Sequence, residues 1–207
     1  SPEYLETFLA ALTLGCVPVN VNYRYLADEV HYVVDNADAK AVVHGPQFSD
    51  TVKKALKRIQ KPWRPFTLET GKQYEAALSA APPASEWEPP HQPSGDDLIF
   101  LYTGGTTGMP KGVMWRNDDL YVSLWRMGRP GTDPPDPIAA VREGKRAGTC
   151  LPACPLMHGT GLFIALSTLS GGGSVVLIDA AGLDPARVWS EVERNAVEVL
   201  TIVGDVF

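Results

Sequence analysis

Three threonines, four glycines and one lysine share eleven consecutive residues, Tyr102-Thr103-Gly104-Gly105-Thr106-Thr107-Gly108-Met109-Pro110-Lys111-Gly112. Hydroxyl groups donate hydrogen bonds to anionic oxygens, and a lysine supplies a mobile positive charge. Glycines let backbone N–H groups approach a ligand and form a concave anion site. Together these are the parts of a phosphate cradle. The spacing is not that of a Walker loop, which needs Gly-Lys-Ser/Thr; here Lys111 stands between Pro110 and Gly112. Gly104, Gly105 and Gly108 also fail the Gly-x-Gly-x-x-Gly dinucleotide pattern. A Gly-rich surface turn without a ligand is the plain alternative. The ordered string, set after an apolar run and closed by Pro-Lys-Gly, weighs against it.

A second candidate lies downstream, in Pro155-Leu156-Met157-His158-Gly159-Thr160-Gly161. It falls between an expected strand end and an expected helix start, where ligands of α/β sheets bind. His158, flanked by glycines, can approach a substrate there; its plain alternative is a structural hydrogen bond. His31, His44 and His91 lie on other elements with no ligand spacing and read as structural or exposed.

The positioning elements follow from periodicity. Leu98–Tyr102 is an apolar run suited to a strand buried on both faces, opening into a Gly/Thr loop. Before it, the pattern predicts helices over 3–14, 26–37 and 48–59, and strands over 17–21, 39–44 and 66–68. A short helix over 74–80 and a Pro-rich loop over 81–97 complete this part. Gly15 is placed to end the first helix. Lys53, Lys54, Lys57 and Arg58 read as a solvated face of the third. After the loop come a strand or turn at 113–115 and a helix capped by Asn117 or Asp118 that carries Leu120, Leu124 and Met127. A loop follows over 128–148, with four prolines and expected mobility. Strands are predicted over 149–153, 174–178 and 199–203, and an apolar helix over 161–169. Asp184-Pro185 predicts the start of a helix carrying Val188, Val192 and Ala196. Strands alternating with helices call for an α/β fold of layered, mostly parallel sheets with helices on both faces.

Composition sets outer bounds. A chain of 207 residues can bury one sizeable core, and 44% hydrophobic residues fit a globular protein. A net charge of −6 argues against a nucleic-acid platform. No apolar run is long enough to span a membrane. Cys16, Cys150 and Cys154 have no metal-knuckle spacing and read as buried thiols, which fits a reducing cytoplasm. The five tryptophans show no regular spacing and read as packing residues.

The stretch YTGGTTGMPKG resembles the phosphate-loop motif of the adenylate-forming enzymes, the superfamily of acyl-CoA synthetases, luciferase and peptide-synthetase adenylation domains. SPEYLETFLAALTLGCVPVNVNYRYLADEVHYVVDNADAKAVV, CPLMHGTGLFIALSTLSGGGSVVLID and VEVLTIVGDVF resemble further collinear segments of the large N-terminal domain, with bacterial fatty-acyl-CoA synthetases the most similar. The resemblance implies an α/β partial N-terminal AMP-binding domain over residues 1–207, without the opening segment, the adenine motifs and the C-terminal domain. It implies ATP, Mg²⁺ and coenzyme A as cofactor and co-substrates, and a carboxylic, fatty acid as substrate. Thr103, Gly104, Gly105, Thr106, Thr107, Gly108 and Lys111 would hold the ATP phosphates, with Thr103 touching Mg²⁺. The family often has Ser or Thr where Gly104 stands, so one hydroxyl is missing. His158, Gly159, Gly161 and Phe163 would line the acyl pocket. His158 is not expected to be a base, because adenylation starts from an ionised carboxylate.

The expected reaction forms an acyl-adenylate from ATP and transfers the acyl group to coenzyme A. Three to five charge-assisted hydrogen bonds supply about 5–15 kcal/mol before the loop is ordered. Micromolar binding needs about 8 kcal/mol net, so this loop by itself is marginal for ATP and the chain alone is expected to be inactive. Two other readings stay open: an adenylation enzyme that loads a carrier protein, and a non-catalytic nucleotide-binding domain.

Overall fold

The computed structural model describes residues 1–105, 108–126, 130–144, 146–178 and 182–203. Their contacts divide the chain into two units, Glu6–Met114 and a second made of Ser1–Leu5 with Trp115–Phe207.

Helix α1 (Pro2–Thr13) buries Leu5 and Phe8. It ends at Gly15, whose φ of 68° lets Cys16 N–H reach back to Ala11 O at 2.8 Å. The strand expected over 17–21 is a single parallel bridge, Val19 with Phe100. Its backbone bonds are Phe100 N to Pro18 O at 3.0 Å and Asn20 N to Phe100 O at 3.4 Å. Pro18 has no N–H with which to extend the ladder.

Helix α2 (Ala27–Asn36) begins where Glu29 Oε2 accepts the Leu26 N–H at 2.9 Å. It turns Val30, Val33 and Val34 inward at helical spacing. Strand β1 (Ala41–His44) leads through the turn Pro46–Phe48 into helix α3 (Ser49–Leu56), shorter than the 48–59 expected. Val30 and Val34 of α2 pack with Ala55 and Ile59 to form the core of this unit. Strand β2 (Phe66–Glu69) pairs in parallel with β1 in the register Ala41↔Phe66 to His44↔Glu69. Helix α4 (Lys72–Ala80) follows, with Tyr74 buried and its hydroxyl donating to Glu6 Oε2 at 2.8 Å.

The segment expected as a loop over 81–97 contains one helical turn, Ala84–Glu86, and is fastened at its end. His91 Nε2 lies 3.0 Å from each Asp97 carboxylate oxygen, and Ser94 N–H donates to Asp97 at 2.8 Å. His91 is thus structural. Strand β3 (Leu98–Gly105) buries Ile99, Leu101 and Tyr102 and pairs with β4 (Gly108–Arg116). Two residues separate them, so the pairing is antiparallel.

In the other unit, helix α5 (Asn117–Arg126) buries Leu120 and Leu124; Met127 lies outside the described residues. The expected 128–148 loop contains helix α6 (Pro137–Arg142), because Asp136 accepts the Ile138 N–H at 2.9 Å and Pro137 presets the first turn. Arg126 pairs with Asp133 at 2.8 Å, and the Tyr121 hydroxyl donates to Pro135 O at 3.0 Å.

Strand β5 (Thr149–Pro152) is central to a parallel sheet of order β6-β5-β7, with β6 at Ser174–Val175 and β7 at Val199–Thr201. Helices α7 (Gly159–Ser170) and α8 (Pro185–Arg194) make the crossovers that parallel pairing requires. Strand β6 is shorter than expected. Val176 N–H reaches Cys150 O at 2.8 Å, but the next rung needs an N–H from residue 152, which is proline. Asp184 caps α8 as predicted, accepting the Ala186 N–H at 3.0 Å. Val188 is fully buried, whereas Ala196 lies beyond the helix with φ 47°. Mixed α/β architecture with parallel sheets is therefore the fold.

Candidate functional site

Of the residues read as a phosphate cradle, the described ones lie in strands and not in an open loop: β3 runs through Gly105 and β4 starts at Gly108. Thr106 and Thr107, between them, lie outside the described residues. Thr103 and Gly104 are exposed, and a Cβ built on Gly104 would meet nothing within 4 Å. Among the described residues of this stretch only Gly108 has a positive φ, 126°. Successive strand N–H groups point to opposite sides. The described arms therefore form no concave row of N–H donors, and their donors are hydroxyls and Lys111. Lys111 is exposed, next to buried Pro110, so its ammonium group is open to solvent.

What holds the hairpin is a buried polar clamp that the sequence pattern did not reveal. Asn20, 2% exposed, accepts the Tyr102 N–H through Oδ1 at 2.5 Å and donates through Nδ2 to Tyr102 O at 3.2 Å. The Tyr102 hydroxyl donates to Asn36 Oδ1 at 2.6 Å, and burial, with Tyr32 nearby, pushes its phenol pKa up. Gly112 lies on the Tyr102 ring, where an added Cβ would sit 3.0 Å from Cζ. The residue that precedes Thr103 is thus fixed through its backbone, its hydroxyl and its ring face. The one available signal was a polar Asn inside the apolar run Val17-Pro18-Val19-Asn20-Val21.

The second candidate segment follows β5. Met157 is buried and His158 is exposed at the start of α7. The His158 N–H donates to Pro155 O at 3.1 Å, and its own carbonyl accepts the Leu162 N–H at 3.1 Å. The backbone of His158 is therefore engaged as a helix cap, while its ring makes no cap bond. Gly161 is buried against the preceding turn; a Cβ there would come within 2.8 Å of Pro155 O and 3.0 Å of Cys154 O. Phe163 is half-buried, and its ring meets Trp115 edge-on, 5.8 Å between centroids at 80°. Trp115 is the last residue but one of β4, and its contact with Phe163 is one that sequence reasoning missed.

The cysteine reading is corrected at Cys16, which is exposed at the end of α1. Cys150 is buried and Cys154 half-buried, and burial pushes both thiol pKa values up. Trp87 and Trp189 are exposed, unlike the packing role expected of them. Among the described residues no three His, Cys, Asp or Glu side chains stand close enough to hold a metal ion. Thr103 offers one neutral oxygen. These residues do not fit a metal site of their own.

The sequence profile of AMP-binding enzymes matches residues 1–207. The chain belongs to the AMP-binding enzyme family. It is similar to a 3-oxocholest-4-en-26-oate–CoA ligase of Rhodococcus rhodochrous, 30% identical over 98% of this chain and 38% of that protein. It is also similar to the medium-chain acyl-CoA ligase Mig of Mycobacterium avium, 32% identical over 98% of this chain and 39% of the relative. The chain thus spans under two-fifths of the length of these curated relatives. The inhibitor-bound N-terminal domain of FACL13 from Mycobacterium tuberculosis superposes with a TM-score of 0.74 at 22% identity, over 97% of this chain and 46% of that structure. Its likeness establishes the fold. The resemblance drawn from the sequence holds at the level of family and fold. No helix of the described residues is long and apolar enough to cross a membrane.

Proposed function

We propose that this chain is the phosphate-holding and acyl-holding part of an AMP-forming acyl-CoA ligase that acts on a fatty or similarly apolar carboxylic acid. The observation that carries the reading is the Thr103–Lys111 hairpin, with its donors exposed on a strand fixed by Asn20, in a chain matched along its whole length by the AMP-binding family. A carboxylate oxygen attacks the α-phosphorus of ATP. The bond to the bridging oxygen breaks and pyrophosphate leaves, giving an acyl-adenylate. The thiol of coenzyme A then displaces AMP to form the thioester. The first step brings two anions together, and fixed donors and cations offset their repulsion. Lys111 supplies charge to the departing pyrophosphate, and Thr103, Thr106 and Thr107 supply hydroxyls. Mg²⁺ belongs to the nucleotide in this reading, carried on its phosphates, with Thr103 able to add one oxygen. His158, Gly159, Gly161 and Phe163 border the acid, and the apolar α7 accommodates its chain.

The test is ATP–pyrophosphate exchange by the protein that carries this chain, with and without a long-chain fatty acid. Acid-dependent exchange that falls about 10²-fold or more in Lys111→Ala supports the reading. Exchange only with aryl or short acids moves the substrate class. Activity with a carrier-protein thiol and none with coenzyme A moves the acceptor. No exchange with any acid overturns the reading.

A further inference from the structure

The basic residues around α3, Lys53, Lys54, Lys57 and Arg58, are all exposed, as expected of a solvated face, but they do not share one environment. Arg58 pairs with Asp28, and Lys54 stands outside the neighbouring cleft. Lys53 and Lys57, one helical turn apart, line a cleft of about 390 Å³ together with Arg64, which precedes β2. Residues four apart on a helix carry neighbouring side chains. Among the described residues no carboxylate lies within ion-pair distance of Lys53, Lys57 or Arg64. The lining includes one acid, Glu69, whose carboxylate accepts from Ser49 Oγ. Thr67 and Gln73 add polar groups, and buried Val52 and Pro65 form an apolar floor. His44 also lines the cleft, with Nδ1 2.9 Å from Gly45 O and its second nitrogen left over.

Position adds to composition. His44 and Glu69 are the last residues of the parallel strands β1 and β2, whereas Arg64 stands just before β2, so the cleft runs along the strands from their amino to their carboxyl ends. Three unpaired cations against one engaged carboxylate, on a chain whose net charge is −6, make a local reversal of field. A single carboxylate would neutralise one of the three. A multivalent phosphate answers all of them, bridging the two lysines of α3 to the guanidinium across the cleft. We infer that the cleft between α3 and β2 is a second anion site, separate from the Thr103–Lys111 hairpin, that takes a di- or polyphosphate group, either free pyrophosphate or the phosphate end of a nucleotide.

Lysine acetylation read residue by residue in the full chain tests this. Inorganic pyrophosphate at about four times its Kd should slow acetylation of Lys53 and Lys57 about fivefold, by the factor 1 + [L]/Kd. Lys54, on the same helix but outside the cleft, should change little. Arg64→Gln should raise the half-protecting concentration at both lysines about tenfold, and Arg64→Lys should recover most of it. ATP protecting at lower concentration than pyrophosphate identifies a nucleotide; the reverse order identifies the free anion. Equal protection of Lys54, or equal protection by sulfate at matched ionic strength, means general screening and overturns the site, as does no protection of Lys53 and Lys57. Lys111 reports on the hairpin in the same experiment, so failure here is distinct from failure of the proposed function.

Discussion

Asn20 satisfies both backbone hydrogen-bonding groups of Tyr102, accepting its N–H at 2.5 Å and donating to its carbonyl at 3.2 Å. A side-chain amide has one acceptor and two donors, so it can stand in for a missing strand neighbour. It does so where the bridge between Val19 and Phe100 stops, one residue before the first threonine of the hairpin. Order at the residues proposed to hold phosphate thus depends on a side chain 82 positions away in sequence.

Asn20→Ala leaves a buried N–H and a buried carbonyl without partners. Each such group costs about 1–3 kcal/mol, so the variant should unfold at clearly lower urea concentration. Asn20→Asp keeps the acceptor but sets a carboxylate oxygen against the Tyr102 carbonyl, and should be worse than alanine. The urea midpoint with its slope, read against wild type, decides. An unchanged midpoint in both variants would mean that the clamp contributes nothing.

Two glycines separate packing from ligand contact. Gly161→Ala drives a methyl to within 2.8 Å of one carbonyl oxygen and 3.0 Å of another, neither on a flexible side chain. Overpacking of this kind costs about 1–3 kcal/mol, and thermal unfolding should show it. Gly104→Ala meets nothing within 4 Å and should leave Tm unchanged. Gly104→Ser, which supplies the hydroxyl often found there in the family, should be equally stable and should tighten ATP binding. A loss of Tm in Gly104→Ala beyond that in Gly161→Ala would contradict the geometry of both sites.

Most elements were legible in the sequence because they carry their own periodicity. Val30, Val33 and Val34 announce α2, and Asp184-Pro185 announces α8 down to its capping bond. The features that escaped depend on what a residue lacks or on partners far along the chain. Pro18 and Pro152 each withhold one N–H and so cut expected strands short. Gly104 and Gly105 read as a loop, yet an antiparallel partner holds them in a strand. The candidate site was visible only as a cluster of residue types. The contacts of Asn20 and Asn36 with Tyr102, and of Trp115 with Phe163, were not, because no local pattern distinguishes such a residue from an ordinary polar or aromatic one.

Thiol labelling should follow burial. Cys16 is exposed, Cys154 half-buried and Cys150 buried in β5. Burial holds the Cys150 and Cys154 thiols protonated to higher pH, and the thiolate is the reactive form. With iodoacetamide near neutral pH, Cys16 should react first, Cys154 slowly, and Cys150 only when urea unfolds the chain. Fast labelling of Cys150 in the native protein would show that β5 opens readily.

The Asp97 carboxylate accepts the Ser94 N–H and meets His91, and these contacts hold its pKa below the usual carboxylate value. A lowered folded-state pKa means that the charged form is the one the fold favours. Its stabilisation is complete above the unfolded pKa, about 4, and is lost as pH falls through the lower folded value. Wild type should therefore lose stability on acidification below about pH 4 more steeply than Asp97→Asn, which has no proton to take up there. Above pH 5 the order should be the reverse of the acid limit, with wild type the more stable by the value of the charged contact. Tm followed from pH 2.5 to 6 in both proteins reads the two slopes directly. Because this carboxylate fastens the 81–97 segment at the start of β3, the same titration should loosen that segment first. Limited proteolysis between Ala81 and Ser94 at low pH should precede cleavage elsewhere, and Asp97→Asn should be cut there even at neutral pH.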